Sequence, residues 1–272
     1  MKVKFRLISL LLALFCAYIP FRVLANPQPA GDTVSSALWW QVAVYNQVQQ
    51  IQDQHYQGCV WGDSISSALG ASLGEQNFNF AIGGMSSVSL LEQLKLVVPL
   101  QFTCEKSIIA IGTNDAMYGI SDEQFVSNLK EAIAIMRSTG TKQIILIPSF
   151  SSTVAASYNP QSAGTIARVD EINVLINQVA NSEKVPVEDR GIQALFKEQA
   201  LNEDLTIDGV HLNAKGLDIY RKVLLNILNS PSETRTSSDR KLNPTLINRM
   251  LGFAIAQPNT LYITFENRYV KE

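Results

Sequence analysis

Short apolar runs alternate with longer stretches of helical period between residues 58 and 229. Five of these runs, which are rich in β-branched residues, have the length of buried strands. The predicted strands cover residues 58–62, 77–82, 107–112, 143–148 and 185–188. Strands that alternate with helices form a parallel sheet covered by helices, because each parallel connection needs a crossover. The pattern therefore predicts a doubly wound α/β domain over residues 58–229.

Three stretches of this domain repeat apolar residues every three or four positions, as one face of a helix does. The first carries Phe125, Leu129, Ala132, Ile133 and Met136, the second Val169, Ile172, Ile176 and Val179, and the third Leu217, Tyr220, Leu224 and Leu228. Ser121, with Gln124 three residues later, predicts a capping box at the start of the first helix. Asn213 can cap the last helix.

Regions of different character flank the predicted domain. Residues 26–57 are expected to form an N-terminal helical segment. Its predicted apolar face consists of Leu38, Val42, Tyr45 and Val48. Residues 230–245 are polar and rich in Ser and Pro, which is typical of a linker. Residues 246–272 become apolar again and form a tail whose role the pattern does not indicate.

The composition is that of a folded globular protein. Hydrophobic residues make up 46% of the 272 residues and charged residues 17%, which excludes the disordered class. The formal net charge of −2 leaves no broad basic face, so no nucleic-acid partner is expected. A small or neutral molecule is the expected partner.

The first 25 residues have the pattern of a signal peptide. Lys2, Lys4 and Arg6 precede an apolar run over residues 7–20, and residues 23–25 offer a small-residue cleavage site. The run is short for a membrane span. We therefore expect export to the periplasm or the extracellular space, a mature chain that begins at Asn26, and no stable membrane insertion after cleavage.

Two cysteines, Cys59 and Cys104, remain after the expected cleavage. In an oxidising compartment they can form a disulfide, but each also begins an apolar segment in which a free thiol packs as a small hydrophobic group. The sequence has no C-x-x-C motif and no Cys/His cluster, so no zinc or redox site is expected.

Polar residues follow the predicted strands at the positions where open parallel sheets bind ligands. A serine nucleophile needs a nearby base, usually a histidine held by a carboxylate. Ser64 follows the first strand, and His211 lies three residues after Asp208 in a short loop before the last helix. His55, the other histidine, lies in a polar, surface-like setting. These observations predict Ser64 as nucleophile, His211 as general base and Asp208 as the residue that orients the base.

Acyl transfer also needs donors that point at the developing oxyanion. The candidates are the backbone N–H of Gly84, the side-chain amide of Asn114 and the N–H of Ser64 at a helix start. The motif around Asn114 has a second interpretation, in which the asparagine forms a turn with a helix cap.

The segments Gly62-Asp63-Ser64, Gly84, Gly112-Thr113-Asn114-Asp115 and Asp208-Gly209-Val210-His211 resemble the four sequence blocks of the SGNH, or GDSL-type, hydrolases. The resemblance covers residues 58–229. It implies a flavodoxin-like three-layer α/β/α sandwich with a mostly parallel five-stranded sheet, hydrolysis of esters and no cofactor. It also implies a triad of Ser64, His211 and Asp208, with Ser64, Gly84 and Asn114 as oxyanion donors. Ala81 stands where many members carry glycine, and Gly83 is the alternative donor if the register shifts by one.

Other interpretations of this pattern concern both fold and chemistry. The α/β-hydrolase fold fits less well, because Gly62-Asp63-Ser64-Ile65-Ser66 lacks the second glycine of its nucleophile motif. An O-acyltransferase that acts on a carbohydrate would use the same triad, and a non-catalytic carbohydrate-binding or scaffold protein would not need it. The expected substrate is a short-chain acyl or acetyl ester of a small molecule or carbohydrate. Val154, Ala155, Ala156 and Tyr158 can form a modest acyl pocket or belong to an ordinary surface loop.

Overall fold

Four parallel strands form the central sheet of the computed structural model, which describes residues 31–230. Their order across the sheet is β2-β1-β3-β4. The strands are β1 (His55–Gly62), β2 (Asn77–Asn79), β3 (Thr103–Ala110) and β4 (Gln143–Leu146). In the central pair, Gly62 lies opposite Ala110, so β1 and β3 end together. The expected signal peptide, most of the polar linker and the tail lie outside the described residues.

The prediction of a fifth sheet strand is wrong. The run at 185–188 meets β4 through a single parallel bridge between Leu146 and Val187. Leu146 N–H donates to Pro186 O at 3.0 Å, and Glu188 N–H donates to Leu146 O at 2.9 Å. Pro186 has no N–H with which to extend a ladder. A separate antiparallel hairpin, β5 (Phe196–Lys197) and β6 (Ala200–Leu201), was not predicted.

Helices cover both faces of the sheet, which confirms the three-layer α/β/α architecture. They are α1 (Leu38–Ile51), α2 (Ser64–Ser67), α3 (Ser87–Val97), α4 (Thr113–Tyr118), α5 (Asp122–Ser138), α6 (Val154–Ser157), α7 (Ile166–Glu183) and α8 (Ala214–Asn229). Short 3₁₀ turns lie at Val34–Ser36, Val98–Leu100, Ile192–Leu195 and Glu203–Leu205. One core cluster joins α1, α3, α5 and α7 to one face of the sheet, and a second joins α2 and α8 to the other. Among residues 31–230, no helix is both long and apolar enough to span a bilayer.

The three helices predicted from apolar spacing are confirmed as α5, α7 and α8. At the start of α5, Ser121 Oγ accepts from Gln124 N–H at 3.2 Å, which is one half of the predicted capping box. Asn213 Oδ1 caps α8 by accepting from the N–H groups of Lys215 and Gly216 at 3.0 and 3.1 Å. The predicted caps therefore mark where both helices begin.

The predicted inner face of α1 is wrong. Leu38, Val42 and Tyr45 are 74%, 48% and 61% exposed. The helix instead buries Trp40, Val44 and Ile51 against the core, while Val48 is half-buried. Both sets have helical spacing, and the rotation that buries the large Trp40 side chain removes more apolar area from water.

Two side chains of β3 tie it to neighbouring elements. Cys104 forms a disulfide with Cys59 of β1, with Cα atoms 5.9 Å apart, so the structure decides between the two states of these cysteines. The buried Lys106 ammonium donates to the carbonyls of Ile227, Leu228 and Ser230. A cation at this position satisfies unpaired carbonyls and the negative dipole end of α8. The last helix is therefore fixed to the middle of the sheet.

Candidate active site

Strand β1 runs directly into the short helix that carries Ser64. A Cβ at Gly62 would lie 2.7 Å from Ser66 Oγ and 3.0 Å from Ala110 O, so only glycine fits this close packing. Asp63 then caps α2 by accepting from Ile65 N–H at 3.0 Å. Ser64 is the first residue of that helix, at the carboxyl edge of the sheet.

The structure brings the three predicted triad residues into one hydrogen-bonded line. His211 Nε2 lies 2.9 Å from Ser64 Oγ, although the two residues are 147 positions apart in the chain. His211 Nδ1 lies 2.7 Å from Asp208 Oδ2. The other carboxylate oxygen of Asp208 accepts from the N–H groups of Val210 and His211 at 2.9 and 2.8 Å. With the Nδ1 proton directed to Asp208, Nε2 is free to accept the serine proton.

Residues 206–211, here called the histidine loop, are closed by internal hydrogen bonds. Thr206 Oγ1 donates to His211 O at 2.7 Å and accepts from Gly209 N–H at 2.8 Å. Thr153 N–H donates to Gly209 O at 2.8 Å, and Gly209 has a φ of +88°, which favours glycine. Sequence reasoning missed both threonines, because neither belongs to a motif. The loop therefore presents Asp208 and His211 in a fixed arrangement.

Three backbone N–H groups near Ser64 are available for a ligand. Within residues 31–230, those of Ser64, Gly83 and Gly84 donate to no backbone carbonyl. A Cβ at Gly83 would lie 3.8 Å from Ser64 Cβ, which places this glycine beside the serine. Gly84 has a φ of +74°, in the left-handed region that favours glycine. Gly83, the alternative donor, thus lies next to Ser64, and the predicted donor Gly84 is the residue that follows it.

Asn114 is not the helix cap that its motif also allowed. The residue that precedes α4 is Gly112, which makes no side-chain cap, and Asn114 is the second residue of the helix. Its Nδ2 donates to Met85 O at 2.9 Å, which leaves the second amide hydrogen for another acceptor. Asn114 is buried, with 8% of its surface exposed.

Helix α4 holds residues 83–86, here called the Gly84 loop, through two of its side chains. Tyr118 Oη donates to Gly84 O at 2.9 Å, and Asn114 donates to Met85 O. Just beyond the loop, Ser87 N–H donates to both carboxyl oxygens of Asp115 at 3.0 and 3.1 Å, and Ser87 Oγ donates at 2.5 Å. Sequence reasoning found Asn114 alone. Tyr118 follows it by four residues, a helical spacing that could have indicated the same face.

A further carboxylate supports the Gly84 loop from its other side. Asp32 Oδ2 accepts from Ser86 Oγ at 2.5 Å and from Ser89 N–H at 3.1 Å. Ser86 in turn caps α3, because its Oγ accepts from Val88 N–H at 3.1 Å. Its own N–H donates to Ser89 Oγ at 3.0 Å, which completes a capping box. The loop is therefore held between the start of α3 and α4.

The carboxyl groups of the site differ in their electrostatic environment. Burial acts to raise the pKa of Asp208, but hydrogen bonds from His211 and Val210 outweigh it and hold that pKa below its ordinary value. Burial raises the pKa of Asp63 to about 6, against the opposing hydrogen bond from Ile65 and the charge of His211. Asp208 is therefore the group that stays ionised beside the histidine.

His55 lies far from this constellation, at the amino end of β1. It is exposed, and its Nδ1 lies 2.7 Å from Thr103 Oγ1 on the neighbouring strand. Strand β1 thus begins three residues before its predicted start at residue 58, and His55 is at the surface, as predicted. Within the described part of the chain, no three His, Cys, Asp or Glu residues form a group that could hold a metal ion.

The family model for GDSL-like lipases and acylhydrolases matches residues 43–219, which is more than half of the chain. Among curated proteins, the chain is 25% identical over 164 residues to N-acylneuraminate cytidylyltransferase of Streptococcus agalactiae serotype V. That match covers 60% of this chain and 36% of the relative, so the chain spans about a third of the length of the curated relatives it matches.

Solved structures share the fold at low sequence identity. A protein described as an acylhydrolase from Bacteroides fragilis superposes with a TM-score of 0.56 at 18% identity, over 68% of this chain and 93% of its own. A GDSL-like lipase from Bacteroides thetaiotaomicron gives 0.55 at 16% identity, over 68% and 94%. An acetyl xylan esterase gives 0.51 at 15% identity, over 62% and 98%.

Replacement of Asp115 by Asn should make the stability of the protein less dependent on pH. Burial, assisted by the negative charge of Asp32, raises the pKa of Asp115 to about 7 despite the hydrogen bonds from Ser87. A raised carboxyl pKa means that the folded state binds the proton more tightly, so this group lowers stability as pH rises from about 4 to about 7. The asparagine keeps an acceptor for Ser87 and cannot ionise.

Urea unfolding of wild type and Asp115→Asn at pH 5 and pH 7.5 measures this effect. We expect the variant to gain on the order of 1 kcal/mol relative to wild type between the two pH values. Glu123→Gln, which removes one charge from an exposed site on α5, is the control for net charge. A constant difference between Asp115→Asn and wild type would contradict the pKa assigned to Asp115.

Proposed function

The chain belongs to the family of GDSL-like lipases and acylhydrolases, and on this premise we propose that it is a serine esterase whose triad is Ser64, His211 and Asp208. The observation that carries the proposal is the continuous line of hydrogen bonds from Asp208 through His211 to Ser64. A structural role alone does not need a serine hydroxyl, an imidazole and an ionised carboxylate in this order.

The proposed reaction begins when Ser64 Oγ attacks the ester carbonyl carbon. His211 Nε2 takes the serine proton as the new C–O bond forms, and the carbonyl oxygen becomes an oxyanion. The tetrahedral intermediate then breaks the bond to the alcohol, which leaves with the proton from His211. Water attacks the acyl-enzyme by the same steps in reverse, giving the carboxylic acid and free Ser64.

Three donors are proposed to stabilise the oxyanion. They are the N–H groups of Ser64 and Gly84 and the free amide hydrogen of Asn114. Ser64 N–H lies at the start of α2, and the contacts with α4 hold the Gly84 loop in place before substrate binds. Donors that are already oriented need not reorganise when the charge develops, which is the main source of their effect on rate.

Asp208 is proposed to hold the imidazole and to balance its charge. When His211 takes the serine proton, both ring nitrogens carry hydrogen and the ring is positive. The lowered pKa of Asp208 keeps the carboxylate negative across the ordinary pH range. Its second oxygen is already occupied by two backbone N–H groups, so the carboxylate cannot rotate freely.

Hydrolysis is favoured over the alternative, acyl transfer to a sugar hydroxyl, by the openness of the site. The His211 side chain is 41% exposed, so water can reach the position from which it would attack the acyl-enzyme. A transferase has to exclude water from that position. Product analysis separates the two: free carboxylic acid in equal amount to released alcohol indicates hydrolysis.

We propose a short acyl group, such as acetyl, on a carbohydrate as the substrate class. The curated relatives are named for N-acylneuraminate, which is a sugar, and one protein of the same fold is an acetyl xylan esterase.

Replacement of Ser64 by Ala should abolish hydrolysis of 4-nitrophenyl acetate, a fall of about 10³-fold or more, because the nucleophile is lost. The melting temperature should stay near that of wild type. Ser67→Ala is the matched control, since Ser67 lies in the same short helix and its hydroxyl only donates to Ser64 O at 3.1 Å. Equal activity of Ser64→Ala and Ser67→Ala would refute the assignment.

Replacement of Asn114 by Ala tests the oxyanion role against a structural one. Asn114→Ala and Tyr118→Phe each remove one hydrogen bond to the Gly84 loop, so both should lower stability by about 1 kcal/mol. Only Asn114→Ala also removes a donor to the oxyanion. Its turnover should therefore fall about a hundredfold or more with little change in KM, while Tyr118→Phe should retain far more activity. Turnover losses of similar size in the two variants would exclude a donor role for Asn114.

We also propose that the protein works after export. The basic, apolar and small-residue segments of residues 1–25 support this, as does the disulfide between Cys59 and Cys104, since such bonds persist mainly in oxidising compartments. N-terminal mass spectrometry of the protein from its native envelope should find Asn26 as the first residue. Recovery of chains that retain Met1 would argue for an uncleaved segment instead.

A further inference from the structure

A groove of about 330 Å³ lies beside Asp208, between helix α6 and the histidine loop. Its lining includes the small residues Ala155, Ala156 and Gly209. The volume lies at the lower end of the range for small-molecule sites, which fits a single sugar ring better than a long chain. The sequence predicted an acyl pocket here, but the surroundings indicate the other half of the substrate.

The position of the groove favours the alcohol part. The proposed oxyanion donors at Ser64, Gly84 and Asn114 follow β1, β2 and β3, respectively. Helix α6 follows β4, which lies at the edge of the sheet. His211, which must protonate the leaving alcohol, is held by Asp208 in the wall of this groove. The histidine loop therefore carries both His211 and four lining residues of the groove, which places the groove on the side of the leaving alcohol, whereas the acyl oxygen is directed to the donors.

Some polar groups that line the groove are already hydrogen-bonded within the protein, and others are free to bind a ligand. The hydroxyl of Thr206 already bonds within the histidine loop, and Asp208 is occupied by His211 and two N–H groups. Glu203 is exposed, and among the described residues its carboxylate has no ion-pair partner. Glu203 is thus the carboxylate of the lining that remains to accept from hydroxyl groups of a ligand. A carboxylate can accept from two neighbouring hydroxyls at once.

The lining also gives the groove an apolar side and a negative charge. Ile207 is 73% exposed and lines the groove, where it can cover the C–H face of a sugar ring. The lining includes Glu203 and Asp208 and contains neither Lys nor Arg. A ligand with its own carboxylate would meet repulsion here without a compensating cation.

We propose that this groove binds the alcohol part of the ester as a neutral, polyhydroxylated ring, with Glu203 accepting its hydroxyl groups and Ile207 covering one face. The inference rests on the proposed esterase function and deepens it. Glu203 acts on specificity: it favours neutral sugars through hydrogen bonds and disfavours sugars that carry a carboxylate.

A matched pair of substrates tests this role of Glu203. Methyl 3-O-acetyl-glucoside and methyl 3-O-acetyl-glucuronoside differ in one carboxylate, and kcat/KM is measured for both. Wild type should prefer the neutral ester, and Glu203→Gln should reduce that preference about fivefold or more. Asp204→Asn is the control, because it removes the same charge from the adjacent residue, which does not line the groove. Hydrolysis of 4-nitrophenyl acetate should be unchanged in Asp204→Asn.

The outcomes separate the groove from the esterase proposal. The groove assignment would be overturned if Glu203→Gln and Asp204→Asn had equal effects, or if wild type showed no preference between the two sugar esters. Activity on 4-nitrophenyl acetate would still support the proposed triad in that case. Inactivity toward all three esters would count against the proposed function.

In that case binding still tests the groove. Titration of Ser64→Ala with methyl glucoside should shift the amide resonances of Ile207 and Gly209, and Glu203→Ala in that background should weaken the binding. Shifts confined to other residues, or binding that Glu203→Ala leaves unchanged, would overturn the proposal.

Discussion

The hydrogen bond between His211 and Ser64 sets the strictest requirement on this fold, because its two atoms must meet within 3 Å from residues 147 positions apart. Each partner reaches its position by a separate route. Ser64 is placed by the end of β1 and the tight packing at Gly62, and His211 by the closed histidine loop and the cap of α8. Both routes end at the carboxyl edge of the sheet, where helix starts and polar loops gather. Lys106 adds a link between them, since it ties the far end of α8 to β3.

The position of the Gly84 loop, which carries a proposed oxyanion donor, depends on α4. A glycine-rich loop can adopt many conformations, and its N–H groups would point in many directions without an external restraint. Tyr118 and Asn114 restrain the loop at two positions, and Asp115 on the same helix holds Ser87 just beyond it. The restraint includes a buried carboxyl group whose pKa is raised to about 7, so part of the folding free energy is given up to orient the loop. Stability and donor geometry are thus coupled through the same helix.

The sequence was sufficient for the fold class and for the grouping of Ser64, Asp208 and His211. Apolar runs indicate strands from the local sequence alone. Because the carboxyl ends of parallel strands share one edge of the sheet, the residues that follow the strands lie close together. The fifth strand was wrong for a local reason, namely the missing N–H of Pro186, which the run of apolar residues hides. Thr153, Thr206 and Tyr118 could not be found from spacing. Their roles come from contacts with Gly209, His211 and Gly84 that only the folded chain creates.

Helix α1 shows why periodicity predicts a helix more reliably than the face it buries. Its sequence offers two apolar stripes, one through Leu38, Val42 and Tyr45 and the other through Trp40, Val44 and Ile51, and both satisfy the helical period. The choice between them depends on what the neighbouring elements can cover. The core beside α3 accepts the Trp40 ring, which is 1% exposed, and the other stripe remains in solvent. The same limit applies to the groove beside Asp208. Composition alone indicated a pocket at residues 154–158. Which half of a substrate these residues would contact follows from their position next to the histidine loop, across from the proposed oxyanion donors.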